Sequence, residues 1–99
     1  MSDQGNYTPR AYQTLFEVLK DPMFKIGMHE AFRGRSFDID RIPETGHFNY
    51  ERGRIFGTVL LAEKREQPPV MPRLGDEIRQ EFLPAYFLLS RLCSEGVIF

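Results

Sequence analysis

Two glycines four residues apart, Gly53 and Gly57, stand inside NYERGRIFGTVLLAE, a segment that otherwise has every mark of a helix. Each costs a helix interior about 1 kcal/mol against alanine. A spacing of four puts both on one helix face, and such a cost persists where a second backbone has to come close. Gly27, inside another helical segment, is the natural counterpart. Gly27, Gly53 and Gly57 therefore read as a packing seam between two helices rather than as a ligand loop. That seam predicts an all-α fold: a small single-domain bundle of four to five helices built around an antiparallel helical hairpin, about 22–34 and 47–65.

Start and stop signals place the other elements. Thr8-Pro9 and Asp21-Pro22 each pair an N-cap residue with a proline tolerated in the first turn. They predict helices near 9–20 and 22–34, preceded by a flexible tail over 1–7. Tyr12, Leu15, Phe16 and Leu19 repeat at helical spacing in the first helix. Phe24, Met28, Ala31 and Phe32 do so in the second, with Gly34 as its terminator. Ser36 to Gly46 predicts an ordered loop, with Phe37, Ile39 and Ile42 plugging the open end of the hairpin; a short strand is the alternative. Ile55, Phe56, Val59 and Leu60 form the predicted buried stripe of the third helix. Pro68, Pro69 and Pro72 mark a linker within the domain over 66–73, with Val70 and Met71 docked on the surface. A last helix near 74–95 carries Ile78, Phe82, Leu83, Tyr86, Leu89 and Leu92, kinked or split at Pro84, and Gly96 is placed to cap it.

Charge and composition exclude several classes of function. The net charge is −1 and the apolar fraction 41%, which fits a globular chain and weighs against a generic nucleic-acid binder. No apolar run approaches the roughly 20 residues that span a bilayer, and the polar MSDQGNY start has no signal-peptide core. One cysteine, Cys93, excludes an internal disulfide, so a cytoplasmic, reducing setting is expected. Cys93 lies in an apolar helix and reads as a small hydrophobe. His29 and His47 sit on neighbouring helices without zinc-type spacing. No nucleophile–base pairing, Walker loop or dinucleotide fingerprint is present. The expectation is a non-enzyme with no cofactor and no metal.

The most informative motifs are AFRGRSF and YERGRIF, which end the second helix and open the third. In an antiparallel hairpin they gather Arg33, Arg35, Arg52 and Arg54 at one tip, with Phe32 and Tyr50 close by. Such a cluster can grip phosphates and stack on bases, or anchor on an acidic protein surface. Internal pairing, which would fasten the loop to the helices, is the leading reading of these arginines. Residues 24–57 hold six basic side chains (Lys25, Arg33, Arg35, Arg41, Arg52, Arg54) against five acidic (Glu30, Asp38, Asp40, Glu44, Glu51), a net of +1.

The run GMHEAFRGRSFDIDR…NYERGRIFG, residues 27–57, resembles the ribosome modulation factor-like small proteins of phages and mobile elements. Gly27, Ala31, Gly34 and Arg35 match the first element of that pattern; Tyr50 and Gly53 match the second. The resemblance implies a host-directed protein that inhibits or modulates a defence or nucleic-acid-processing complex. A non-enzymatic protein-binding module, with a host protein or ribonucleoprotein complex as partner, is thus the leading expectation. Nucleic-acid or ribosome binding through the arginine tip is the alternative. A self-assembling subunit, burying FLLSRLC and GVIF on a second copy, is the next.

Overall fold

A computed structural model describes residues 14–63, 66–73, 75–77 and 79–96. The architecture is all-helical: α1 (Leu15–Lys20), α2 (Pro22–Phe32), α3 (His47–Ala62) and α4 (Leu83–Ser94). Short 3-10 turns occupy Ile39–Arg41, Glu44–Gly46 and Gln80–Phe82. The expected tail over 1–7, the Thr8-Pro9 start, Tyr12, Ile78 and the closing Val97 to Phe99 lie outside the described residues.

Local chemistry explains the boundaries. α1 opens at Thr14, so a helix running unbroken from residue 9 is corrected. Thr14 is extended; its hydroxyl accepts from Glu17 N at 3.1 Å while Glu17 Oε1 accepts from Thr14 N at 3.0 Å. This reciprocal box satisfies two of the amide groups that a helix start leaves unpaired. Asp21 then separates α1 from α2 and caps the second helix, its Oδ1 accepting from Met23 N at 2.9 Å and Phe24 N at 3.1 Å. Gly34, at φ +74°, ends α2 in a Schellman turn, with Gly34 N donating to Ala31 O and Arg35 N to Glu30 O.

Helix α4 corrects the predicted 74–95 span. It begins at Leu83, and the described residues from 66 to 79 contain no helix. Pro84 lies in its first turn, where its missing N–H costs nothing. Further inside a helix, its ring would strike the carbonyl four residues back. Gly96, at φ +76°, follows the helix as expected.

One cluster forms the core: Val18 and Leu19 of α1, Phe24 and Met28 of α2, Phe56 and Leu60 of α3, and Ala85, Leu88, Leu89 and Leu92 of α4. Val59 and Met71 pack at its edge. One expected core residue faces outward instead: Ile55 is 39% exposed. Ile55 lies seven residues from exposed Phe48 on the outer side of α3, a full two turns.

Helices α2 and α3 touch through their backbones. A Cβ at Gly53 would lie 2.0 Å from Phe24 O, one at Gly27 2.2 Å from Tyr50 O, and one at Gly57 2.3 Å from Met28 O. The pairings also fix direction. Asn49 meets Asp21, Gly53 sits between Phe24 and Met28, and Gly57 sits against Met28 and Ala31. Residue numbers rise together on both helices, so α2 and α3 run the same way. The expected antiparallel hairpin is therefore corrected to a parallel pair. Its connection, residues 33–46, returns along the pair through two 3-10 turns. Only Ile42 of that loop is a buried apolar residue; Phe37 is 54% exposed, and no strand forms among the described residues.

Candidate binding surface

The parallel pairing breaks up the expected four-arginine tip. Residues two apart on a helix point to opposite sides, so Arg52 and Arg54 leave the seam on different flanks. Arg52 is buried at 4% exposure. It donates to Asn49 Oδ1 and its guanidinium lies 4.3 Å from the Phe48 ring centroid. Asn49 Nδ2 in turn donates to Asp21 Oδ2 at 2.9 Å. The carboxylate that caps α2 is thereby tied to the first two turns of α3. A buried cation held this way fastens helices together and is not offered to a ligand.

The opposite flank centres on Glu30, 8% exposed. Tyr50 Oη donates to Glu30 Oε1 at 2.6 Å, Arg41 Nη2 donates to Oε2, and Arg54 Nη1 lies 3.6 Å from Oε1. Arg41 Nε also donates to Asp38 Oδ2 at 3.0 Å, fixing the returning loop. Burial pushes the Glu30 carboxyl up, but the Tyr50 hydroxyl and the two guanidiniums outweigh it and hold the carboxyl below its ordinary value. Tyr50 is wholly buried, which removes it as a stacking or binding residue. Its ring floors the loop, and its hydroxyl accepts from Asp38 N at 3.4 Å. Glu30 and Arg41 were expected only as members of the internal charge pairing, not as its hub. The available signal was position: Glu30 follows seam residue Gly27 by three, so it flanks the seam and needs a cation.

Arg54 completes this flank. Its Nη2 donates to Arg35 O at 3.1 Å and its guanidinium lies 5.6 Å from the Phe37 ring centroid. Phe37 also packs on Tyr50, centroids 5.8 Å apart. The exposed remainder of the motif is Arg33, Arg35 and Phe37, at the C-terminal end of α2. The side chains of Arg33 and Arg35 make no hydrogen bond or ion pair among the described residues. Phe32 is half-buried against the core.

Cys93 is half-buried, and burial pushes its thiol up, against a smaller opposing pull from Arg52. That shift disfavours the reactive thiolate. His47 Nε2 is bonded to Ile42 O at 2.9 Å, whereas His29 lies in a cleft beside Lys25 and Arg33. Among the described residues, no three of His, Cys, Asp and Glu converge as a metal site would require, and no helix is long and apolar enough to cross a membrane. Comparison with protein-family models, with curated proteins and with solved structures finds no match.

Proposed function

We propose that this chain is a non-enzymatic protein-binding module that engages its partner with the C-terminal end of α2 and the start of the returning loop. One observation carries the reading. Phe37 is 54% exposed, yet it is braced by Tyr50 and Arg54 over the buried Glu30 network. An aromatic ring held in place loses little freedom on binding, and arginines beside it suit an acidic partner. Arg33 and Arg35 supply those charges. The resemblance to ribosome modulation factor-like proteins directs the search to host defence and nucleic-acid-processing complexes.

Nucleic acid is the second reading, favoured by the same ring between arginines but weakened by the burial of Arg52. Capture from a host lysate, with and without nuclease, decides between them. The protein-binding reading expects a partner retained after nuclease and lost with Phe37→Ala or Arg35→Glu. Capture that vanishes with nuclease, and falls steeply with salt, supports the alternative. Capture unchanged by both substitutions overturns the proposed surface.

A further inference from the structure

A different feature lies between α2 and the proline-rich segment: an open cleft of about 550 Å³. Lys25, His29 and Arg33 line one wall, Pro68 to Met71 the other, with Phe32 and Glu66 at its margins. The three basic residues follow one another at i, i+4 and i+8, so they form a row on one face of α2. The Lys25 amine donates to Pro72 O and ties the proline segment to the helix. His29 and Arg33 have no side-chain hydrogen bond or ion pair among the described residues. Lys25 and Arg33 are thus cations on either side of an imidazole, with Asp76 and Asp21 offsetting part of the Lys25 charge.

Its electrostatics agree with its geometry. Burial lowers His29 first, and then Arg33 and Lys25 lower it further. Burial likewise lowers Lys25, with Asp76 opposing and Arg73 adding. Glu66 is the acidic group lining the cleft itself; Glu30, nearby, is already engaged by Tyr50 and Arg41. An anion entering here meets the Lys25 and Arg33 cations and favours protonation of His29 between them. The opposite wall of prolines, valine and methionine, with Phe32 beside it, suits a ring or apolar body. The volume falls in the range of small-molecule sites.

We propose that the cleft between α2 and residues 66–71 binds a phosphorylated small molecule, its phosphomonoester on the Lys25–His29–Arg33 row and its organic body against Phe32 and the prolines. Several phosphate oxygens can accept from several donors at once, and a guanidinium holds two of them side by side. The site shares Arg33 with the partner surface but uses neither Phe37 nor Arg35, so Phe37→Ala and Arg35→Glu separate the two.

The test is a two-dimensional NMR titration of the full chain with AMP, inorganic phosphate and adenosine. AMP should give saturable shifts at residues 25, 29, 33 and 68–71 and raise the titration midpoint of His29. Inorganic phosphate should shift the basic row at lower affinity, and adenosine should bind far more weakly than AMP. Arg33→Gln and His29→Gln should each weaken AMP by about tenfold, whereas Phe37→Ala should leave it unchanged. Absence of saturable shifts with AMP and phosphate at millimolar concentration overturns the site, as do shifts centred elsewhere or affinity indifferent to both cleft substitutions. Inorganic phosphate binding as tightly as AMP overturns the role given to the proline wall.

Discussion

Helices α2 and α3 meet backbone to backbone, whereas α1 and α4 meet through side chains. At the first contact Gly27, Gly53 and Gly57 leave no room even for a methyl group. At the second, Phe16 stacks on Tyr86 with centroids 4.5 Å apart, above a layer of leucines. Side chains can change rotamer to absorb an intruder; a helix backbone cannot move without its neighbours. The first contact therefore specifies the fold rigidly, and the second fills it adaptably.

The sharpest way to break this comparison is Gly53→Ala. A Cβ there would sit 2.0 Å from Phe24 O and 3.0 Å from Met28 N, both backbone atoms. The helices must separate, at a cost of about 3 kcal/mol or more. That is a large share of the roughly 5–15 kcal/mol that holds a domain folded. Gly34→Ala is the control. Gly34 has open space around it but φ +74°, so its loss should be only about 1 kcal/mol. Urea unfolding of both variants checks the ranking; equal losses would mean that the seam is not the rigid element.

Next in size is Tyr50→Phe, expected to cost about 2 kcal/mol because it strips a donor from a buried carboxylate. The same carboxylate sets a pH dependence. Glu30 titrates below its ordinary 4.5 in the folded chain, so its contribution is present above that value. It is lost as pH falls through the lowered folded value. His29 is also lowered, from 6.5, so the unfolded chain takes up its proton first. Stability should begin to fall as pH drops below 6.5, and again below 4.5. Unfolding midpoints against pH should show both steps, with His29→Gln removing the first and Glu30→Gln the second.

How much of this was legible in the sequence follows from what each signal encodes. Asp21-Pro22, Gly34 and Gly96 are local signals, and the helix ends lie where they point. The glycine spacing encodes a close approach but not its direction. Nothing in Gly27, Gly53 and Gly57 distinguishes a parallel from an antiparallel partner. The length of the 33–46 connection does, because antiparallel helix pairs are usually joined by about 2–5 residues. The arginine motif misled for a related reason: a repeated string suggests a shared site, but a two-residue step sends Arg52 and Arg54 to opposite flanks. Glu30 was invisible as a hub because its partners Tyr50, Arg41 and Arg54 come from distant parts of the chain.

A milder change sharpens the other half of the comparison. Leu89 is fully buried in the α4 layer, but methionine has nearly its volume and more flexibility. Leu89→Met should cost less than about 1.5 kcal/mol, where a single added methyl at Gly53 costs more. A larger loss would show that the α4 layer is as rigid as the seam.

The smallest effect belongs to the link between α4 and the end of α3. Arg91 Nη2 meets Glu63 Oε2 at 2.5 Å, with the arginine side chain 54% exposed and the glutamate 31%. Water screens both charges, and holding two long side chains in one geometry costs entropy. Arg91→Ala should therefore change stability by no more than about 0.5 kcal/mol. The informative version is a double-mutant cycle with Glu63→Ala, read by urea unfolding at low and high salt. A coupling near zero places the attachment of α4 in its leucines. A coupling above about 1 kcal/mol would mean that α4 is held by a directional clasp, so that its interface is not the adaptable one.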